Sequence, residues 1–139
     1  MAAKYRIFQE HGLKLVEISH ETNLAELRSL ATQYFEDPIF SPTHRQLIDL
    51  SKVKDAKASF IDVFTLRNFY LRGYRGVDEP VKIAIFAPTD LTYGISKMFS
   101  SLMIGQKIMR ISVHSTLDTA AEALGFDEMM IRRLQAGRE

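Results

Sequence analysis

From Tyr5 to Ser19 the chain is rich in Ile, Val, Leu, Tyr and Phe on both sides of a break at His11-Gly12. That pattern predicts two short strands joined by a tight turn. From Asn23 the spacing changes, and Leu24, Leu27, Ala31, Tyr34 and Phe35 recur at helical intervals behind an N-cap at Asn23 and an acidic third position at Glu26. The helix must end before Asp37-Pro38-Ile39-Phe40-Ser41-Pro42, where two prolines remove backbone donors and push the residues before them into extended geometry. Gln46-Leu47-Ile48-Asp49-Leu50 reads as a buried strand, followed by a lysine-rich connection from Lys52 to Lys57.

Ser59 and Asp62 form an S-x-x-D box ahead of Phe60, Ile61, Val63, Phe64, Leu66, Phe69, Tyr70 and Leu71, which spread over more than one helical face. Such a helix is either sandwiched in the core or part of a contact surface. Val81-Lys82-Ile83-Ala84-Ile85-Phe86-Ala87 is the clearest strand, and Pro88-Thr89-Asp90 is a turn able to cap the next helix, whose core stripe is Leu91, Ile95, Met98, Phe99 and Leu102. Gly105 stops that helix, Lys107 to Val113 forms a further strand, and Ser115 with Asp118 makes a second S-x-x-D box before the stripe Leu117, Ala120, Ala121 and Leu124. Asp127 to Gln135 has the pattern of one more short helix. An α/β domain follows, with an N-terminal hairpin, then a mostly parallel sheet joined by right-handed crossovers and covered by helices. Its core spans about residues 4–125 of a single domain covering 1–139.

Composition narrows what this domain does. The 139 residues are 46% hydrophobic and 25% charged, with 18 basic against 17 acidic side chains and no cysteine. A chain of this length buries roughly 70% of its unfolded surface without disulfides or metal. Lacking cysteine, it has no thiolate metal site or cysteine nucleophile and suits a reducing cytoplasm. A formal net charge of +1 gives little attraction to phosphate backbones, so no nucleic-acid partner is expected. No apolar run approaches the roughly 20 residues of a membrane span, and the start lacks the apolar segment of a secretory signal.

Candidate chemistry is sparse. Tyr93 and Lys97 have the Tyr-x-x-x-Lys spacing of short-chain dehydrogenases, but no G-x-G-x-x-G turn accompanies them. The four histidines, at 11, 20, 44 and 114, are never paired at i, i+3 or i+4, and neither a G-x-S-x-G elbow nor a phosphate loop is present. No enzyme activity, cofactor or metal is therefore expected. Lys52, Lys54 and Lys57 could draw a small anion toward the start of the helix near Phe60. In an open parallel sheet ligands bind beyond the carboxyl ends of the strands, which places a candidate small-molecule site between Asp55 and Ser59 on one side and Thr89, Asp90, Tyr93 and Lys97 on the other. Phe64 and the aromatic and methionine side chains around it supply apolar surface for a pocket or for self-association.

Three segments together resemble the SpoIIAA-like branch of the STAS fold group: Asp37-Pro38-Ile39-Phe40-Ser41-Pro42 leading into Leu47-Ile48-Asp49-Leu50-Ser51, the Ala84-to-Gly94 strand-to-helix passage with Lys97-Met98-Phe99, and the closing Thr119-to-Leu124 helix. The resemblance implies a right-handed superhelix of strand-helix units, shared with CRAL-TRIO lipid-carrying domains. It implies a non-enzymatic module that binds a protein partner or itself through apolar helical surfaces, or an apolar ligand such as a lipid in a pocket. Anti-sigma-factor antagonists of this branch are also controlled by a phosphorylated serine in an Asp-Ser-Ser-Gly-like turn. This chain departs there, reading Asp55-Ala56-Lys57-Ala58-Ser59, so Ser59 is the hydroxyl left for such control.

Overall fold

β1 (Ala3–Phe8) and β2 (Leu13–Thr22), the latter buried on both faces from Leu13 to Val16, pair as an antiparallel hairpin, turned through a single 3-10 turn at Gln9–His11 and Gly12 in the left-handed region at φ 58°. The computed structural model describes residues 3–56 and 59–137. After the hairpin come α1 (Leu24–Phe35), β3 (Arg45–Ala56), α2 (Phe60–Gly73), β4 (Val81–Phe86), α3 (Asp90–Leu102), β5 (Met109–His114), α4 (Leu117–Ala123) and α5 (Glu128–Gln135). The sheet order is β1-β2-β3-β4-β5, with every pair after the hairpin parallel. The fold is thus α/β, a hairpin followed by a parallel sheet covered by helices.

Consecutive strands lie side by side, and the crossover helices α1, α2 and α3 pack on one face of the sheet. All three crossovers therefore wind in one sense, and a twisted parallel sheet favours the right-handed one. On that face Val16, Ile18, Ile48, Val81, Ile83 and Ile85 meet Leu30, Tyr34, Val63, Tyr74 and Phe99. The opposite face is covered by α4 and α5: Leu13, Leu15, Leu47 and Ala84 pack against Leu117, Ala120, Ala121, Leu124, Ile131 and Leu134. Side-chain clamps hold this second layer. Gln135 Nε2 donates to Asp49 Oδ2 at 2.6 Å, and the Arg45 guanidinium donates to the Leu124 carbonyl while lying 4.1 Å from the Phe126 ring centre.

Each helix begins where a side chain satisfies an otherwise unpaired amide. Asn23 accepts from Glu26 N, Thr89 from Thr92 N and Asp127 from Met129 N, while Ser59 and Asp62 make the reciprocal box expected of them. Two expectations are corrected. The cap of α4 is Thr116, accepting from Thr119 N, rather than Ser115; two adjacent hydroxyls made the register ambiguous. The segment from Lys52 is no connection: β3 continues to Ala56, pairing His20 with Val53, Glu21 with Asp55 and Thr22 with Ala56. Val53 is buried between exposed Lys52 and Lys54, the period-2 pattern of a strand. Irregularities between Glu17 and Ser19 and between His20 and Glu21, with His20 at φ 61°, break this pairing locally. Lys57, the last member of the lysine run, lies outside the described residues.

Candidate functional site

The space between the sheet and its crossover helices is filled unevenly. At the carboxyl ends of β2, β3 and β4 lies a cavity of about 120 Å³. Its floor is Val16, Ile18, Ile48, Leu50, Val53 and Ile85, and its roof comes from the first halves of α1, α2 and α3, chiefly Leu24, Leu27, Val63, Leu66 and Ile95. Because each crossover helix starts at this edge, all three capped N-termini surround the cavity. Its lining is mostly aliphatic, joined by the Tyr70 and Phe99 rings, and the polar residues that reach it are few: Thr22, Asn23, Asp62, Tyr70, Thr92 and Ser96. Three of them are already engaged. Asn23 and Asp62 serve their own caps, and Thr92 Oγ1 lies 2.7 Å from Thr89 Oγ1.

The seven residues singled out from sequence stand around this edge, and none of them lines the cavity. Asp55 is exposed near the end of β3. Ser59 and Thr89 spend their side chains on capping Asp62 N and Thr92 N. Asp90 opens α3, while Tyr93 and Lys97 follow one another on its exposed face. Phe64 stacks on Phe60 at 6.2 Å between ring centres, over the Arg67 guanidinium. Their neighbours in sequence do the lining: Ala56, Asp62, Val63, Thr92 and Ser96. The Lys52 and Lys54 side chains also stay outside it, and no basic side chain among the described residues lines the cavity.

At the amino ends of the same strands the layer is filled by a polar and aromatic cluster absent from the sequence-based candidates. Lys14 is 1% exposed, with Nζ 3.7 Å from the centre of the Tyr34 ring and 3.4 Å from Gln46 Oε1. Burial without a carboxylate partner pulls its ammonium down to about 7. Gln46 Nε2 in turn donates to the Tyr74 hydroxyl. The Tyr34 hydroxyl donates to the Ser41 carbonyl at 3.0 Å and lies 2.8 Å from His44 Nδ1. A carbonyl only accepts, so that nitrogen of His44 is the proton donor of the pair. Burial lowers the His44 pKa, and Lys14 nearby lowers it further. At the cluster's outer edge Tyr5 donates to Asp37 at 2.7 Å, and burial together with this carboxylate pushes Tyr5 up to about 12. The signal in the sequence is Lys14 inside the run Leu13-Lys14-Leu15-Val16, whose residues are buried on both faces.

Other polar groups form no comparable site. Ser112 Oγ and His114 Nε2 are 2.7 Å apart on β5, but no carboxylate orients the imidazole among the described residues. No group of three or more His, Asp or Glu side chains among those residues is placed to hold a metal ion. Among the described residues no helix is long and apolar enough to cross a membrane. No family model, curated protein or solved structure matches the chain.

Proposed function

We propose that the chain is a non-enzymatic, cytoplasmic, STAS-like binding module whose ligand is a small apolar molecule held at the carboxyl edge of the sheet. The observation that carries this reading is the 120 Å³, mostly apolar cavity beneath the first turns of α1, α2 and α3. A dry apolar cavity of roughly 150 Å³ holds one benzene ring; this one suits a single ring or a short acyl segment. A whole lipid chain would require α1 or α2 to move outward. The position is the one that open parallel sheets use for ligands, and the hairpin followed by strand-helix units supports the STAS resemblance.

Benzene is the direct probe. Calorimetry should give saturable binding, and a tenfold excess over Kd should stabilise the fold by roughly 1.4 kcal/mol. Ala56→Leu, which adds three carbons at the cavity wall, should abolish both effects while the protein stays folded. Absence of binding to the unaltered chain at millimolar benzene would end this reading.

A second reading rests on the first turns of α2 and α3, where Phe60, Ile61, Phe64, Leu91 and Tyr93 are exposed, Ile61 by 72%. Contiguous exposed apolar groups mark contact surfaces, and a second copy of the chain is the partner this reading names. Sedimentation equilibrium should then show dimers that Ile61→Asp dissociates; a monomer at high concentration would remove the idea.

A further inference from the structure

Two hydroxyls at the cavity have no partner. Thr22 Oγ1 is shut off from solvent and makes no hydrogen bond. Ser96 is 3% exposed, and its side chain makes no hydrogen bond among the described residues. Both line the same cavity, Thr22 from the end of β2 and Ser96 from the second turn of α3. Unpaired hydroxyls are costly in a hydrocarbon-lined space, and sites of this kind discriminate strongly in favour of ligands that complete the bonds. The Asn23, Asp62 and Thr92 side chains there are committed to helix caps, so Thr22 and Ser96, together with the Tyr70 phenol, are the lining hydroxyls left to meet a ligand.

Charge decides what kind of oxygen they meet. Among the described residues Asp62 is the single charged residue in the lining, and its carboxylate would oppose an anion entering a poorly solvated site. Resting on the apolar-ligand reading above, we propose that the cavity takes a neutral molecule of about one ring in size carrying one hydroxyl or carbonyl oxygen, which Thr22 or Ser96 hydrogen-bonds.

The test compares benzene, phenol and benzoate by calorimetry on the unaltered chain, Ser96→Ala and Thr22→Val. Phenol should bind about fivefold to tenfold more tightly than benzene, the worth of one net hydrogen bond, and benzoate at least about tenfold more weakly than phenol. At least one of the two substitutions should reduce the preference for phenol, and both should leave the benzene Kd within about twofold, the expectation for a change that keeps the apolar lining. Equal binding of phenol and benzene, or a preference for phenol undiminished in both variants, would overturn the hydroxyl pairing and leave the apolar site standing. Tighter binding of benzoate would overturn the neutral-ligand assignment. Failure of benzene itself to bind would instead overturn the reading on which the proposal rests.

Discussion

The two ends of the crossover layer are built from the same strands and the same helices, yet one is filled and the other is open. At the amino end Tyr34, Phe35, Phe40 and Tyr74 interlock, with Tyr34–Phe40 and Phe35–Tyr74 edge to face at 4.9 Å and 5.0 Å between ring centres. Packing there is tight enough that a Cβ added at Gly73 would collide with the Phe35 ring. At the carboxyl end most of the facing residues are Val, Ile, Leu and Ala, too short to meet across the layer, and the rings that reach it are Tyr70 and Phe99. The contrast shows that the cavity does not reflect a shortage of apolar side chains. Large rings are concentrated where the helices end, anchoring their C-termini to the sheet and leaving their first turns to form the site.

The largest effect that would break this contrast comes from removing its central ring. Tyr34→Ala deletes the aromatic face over Lys14 and the contacts to Ser41 and His44, and should cost about 4 kcal/mol in denaturant unfolding. Lys14→Met should do the opposite, stabilising the protein by about 2 kcal/mol at pH 6 because it replaces a poorly paired buried ammonium by a chain of similar volume. The sign follows from linkage. With a pKa of about 7 in the fold and near 10.4 when unfolded, Lys14 is more protonated in the unfolded chain between those values. Stability should therefore rise with pH from about 7 to 10.4, and lose this contribution as pH falls through 7.

The groups facing Lys14 leave that window clear. Tyr34 and Tyr74 are raised by burial and Tyr5 reaches about 12, so all stay protonated across it, and Asp37 is lowered by its bonds to Ile39 N and Tyr5. His44, lowered mainly by burial, adds a loss of stability below about pH 6.5. Lys14→Met should flatten the upper slope and leave the lower one. A chemical-denaturation series from pH 5 to 10 reads both.

Smaller substitutions sharpen the comparison by adding carbon at each end. Gly73→Ala should destabilise by about 2 kcal/mol despite the better helix propensity of alanine, because the Phe35 ring is pinned by Phe40, Phe69, Tyr70 and Tyr74. Val53→Ile, which extends into the cavity, should be neutral or stabilise by about 0.5–1 kcal/mol. Equal penalties at the two ends would mean that both are equally full.

Much of this architecture was legible because it repeats at short range. Strand and helix periods show directly in Leu47–Leu50, Val81–Phe86 and Leu117–Leu124, and the Ser59–Asp62 box is a local signal. The end of β3 was hidden because Lys52 and Lys54 resemble a solvated loop until Val53 is seen pairing with His20. The carboxyl edge was predictable from topology, but the lining was not. A cavity depends on distances between Thr22, Val53, Val63 and Ser96, which are far apart in the chain and individually ordinary. Lys14 was missed for a related reason: a lysine on a strand signals exposure unless the ring that covers it, 20 residues on at Tyr34, is known.

The claim that one end is open and the other closed is tested most directly by methyl NMR of isoleucine-labelled protein titrated with benzene. Ile18, Ile48, Ile85 and Ile95 line the cavity, whereas Ile83 is buried in the same layer away from it. The account predicts saturable shifts at those four methyl-bearing residues with Ile83 little changed. Shifts centred on Ile83, or none at the four at saturating benzene, would contradict it.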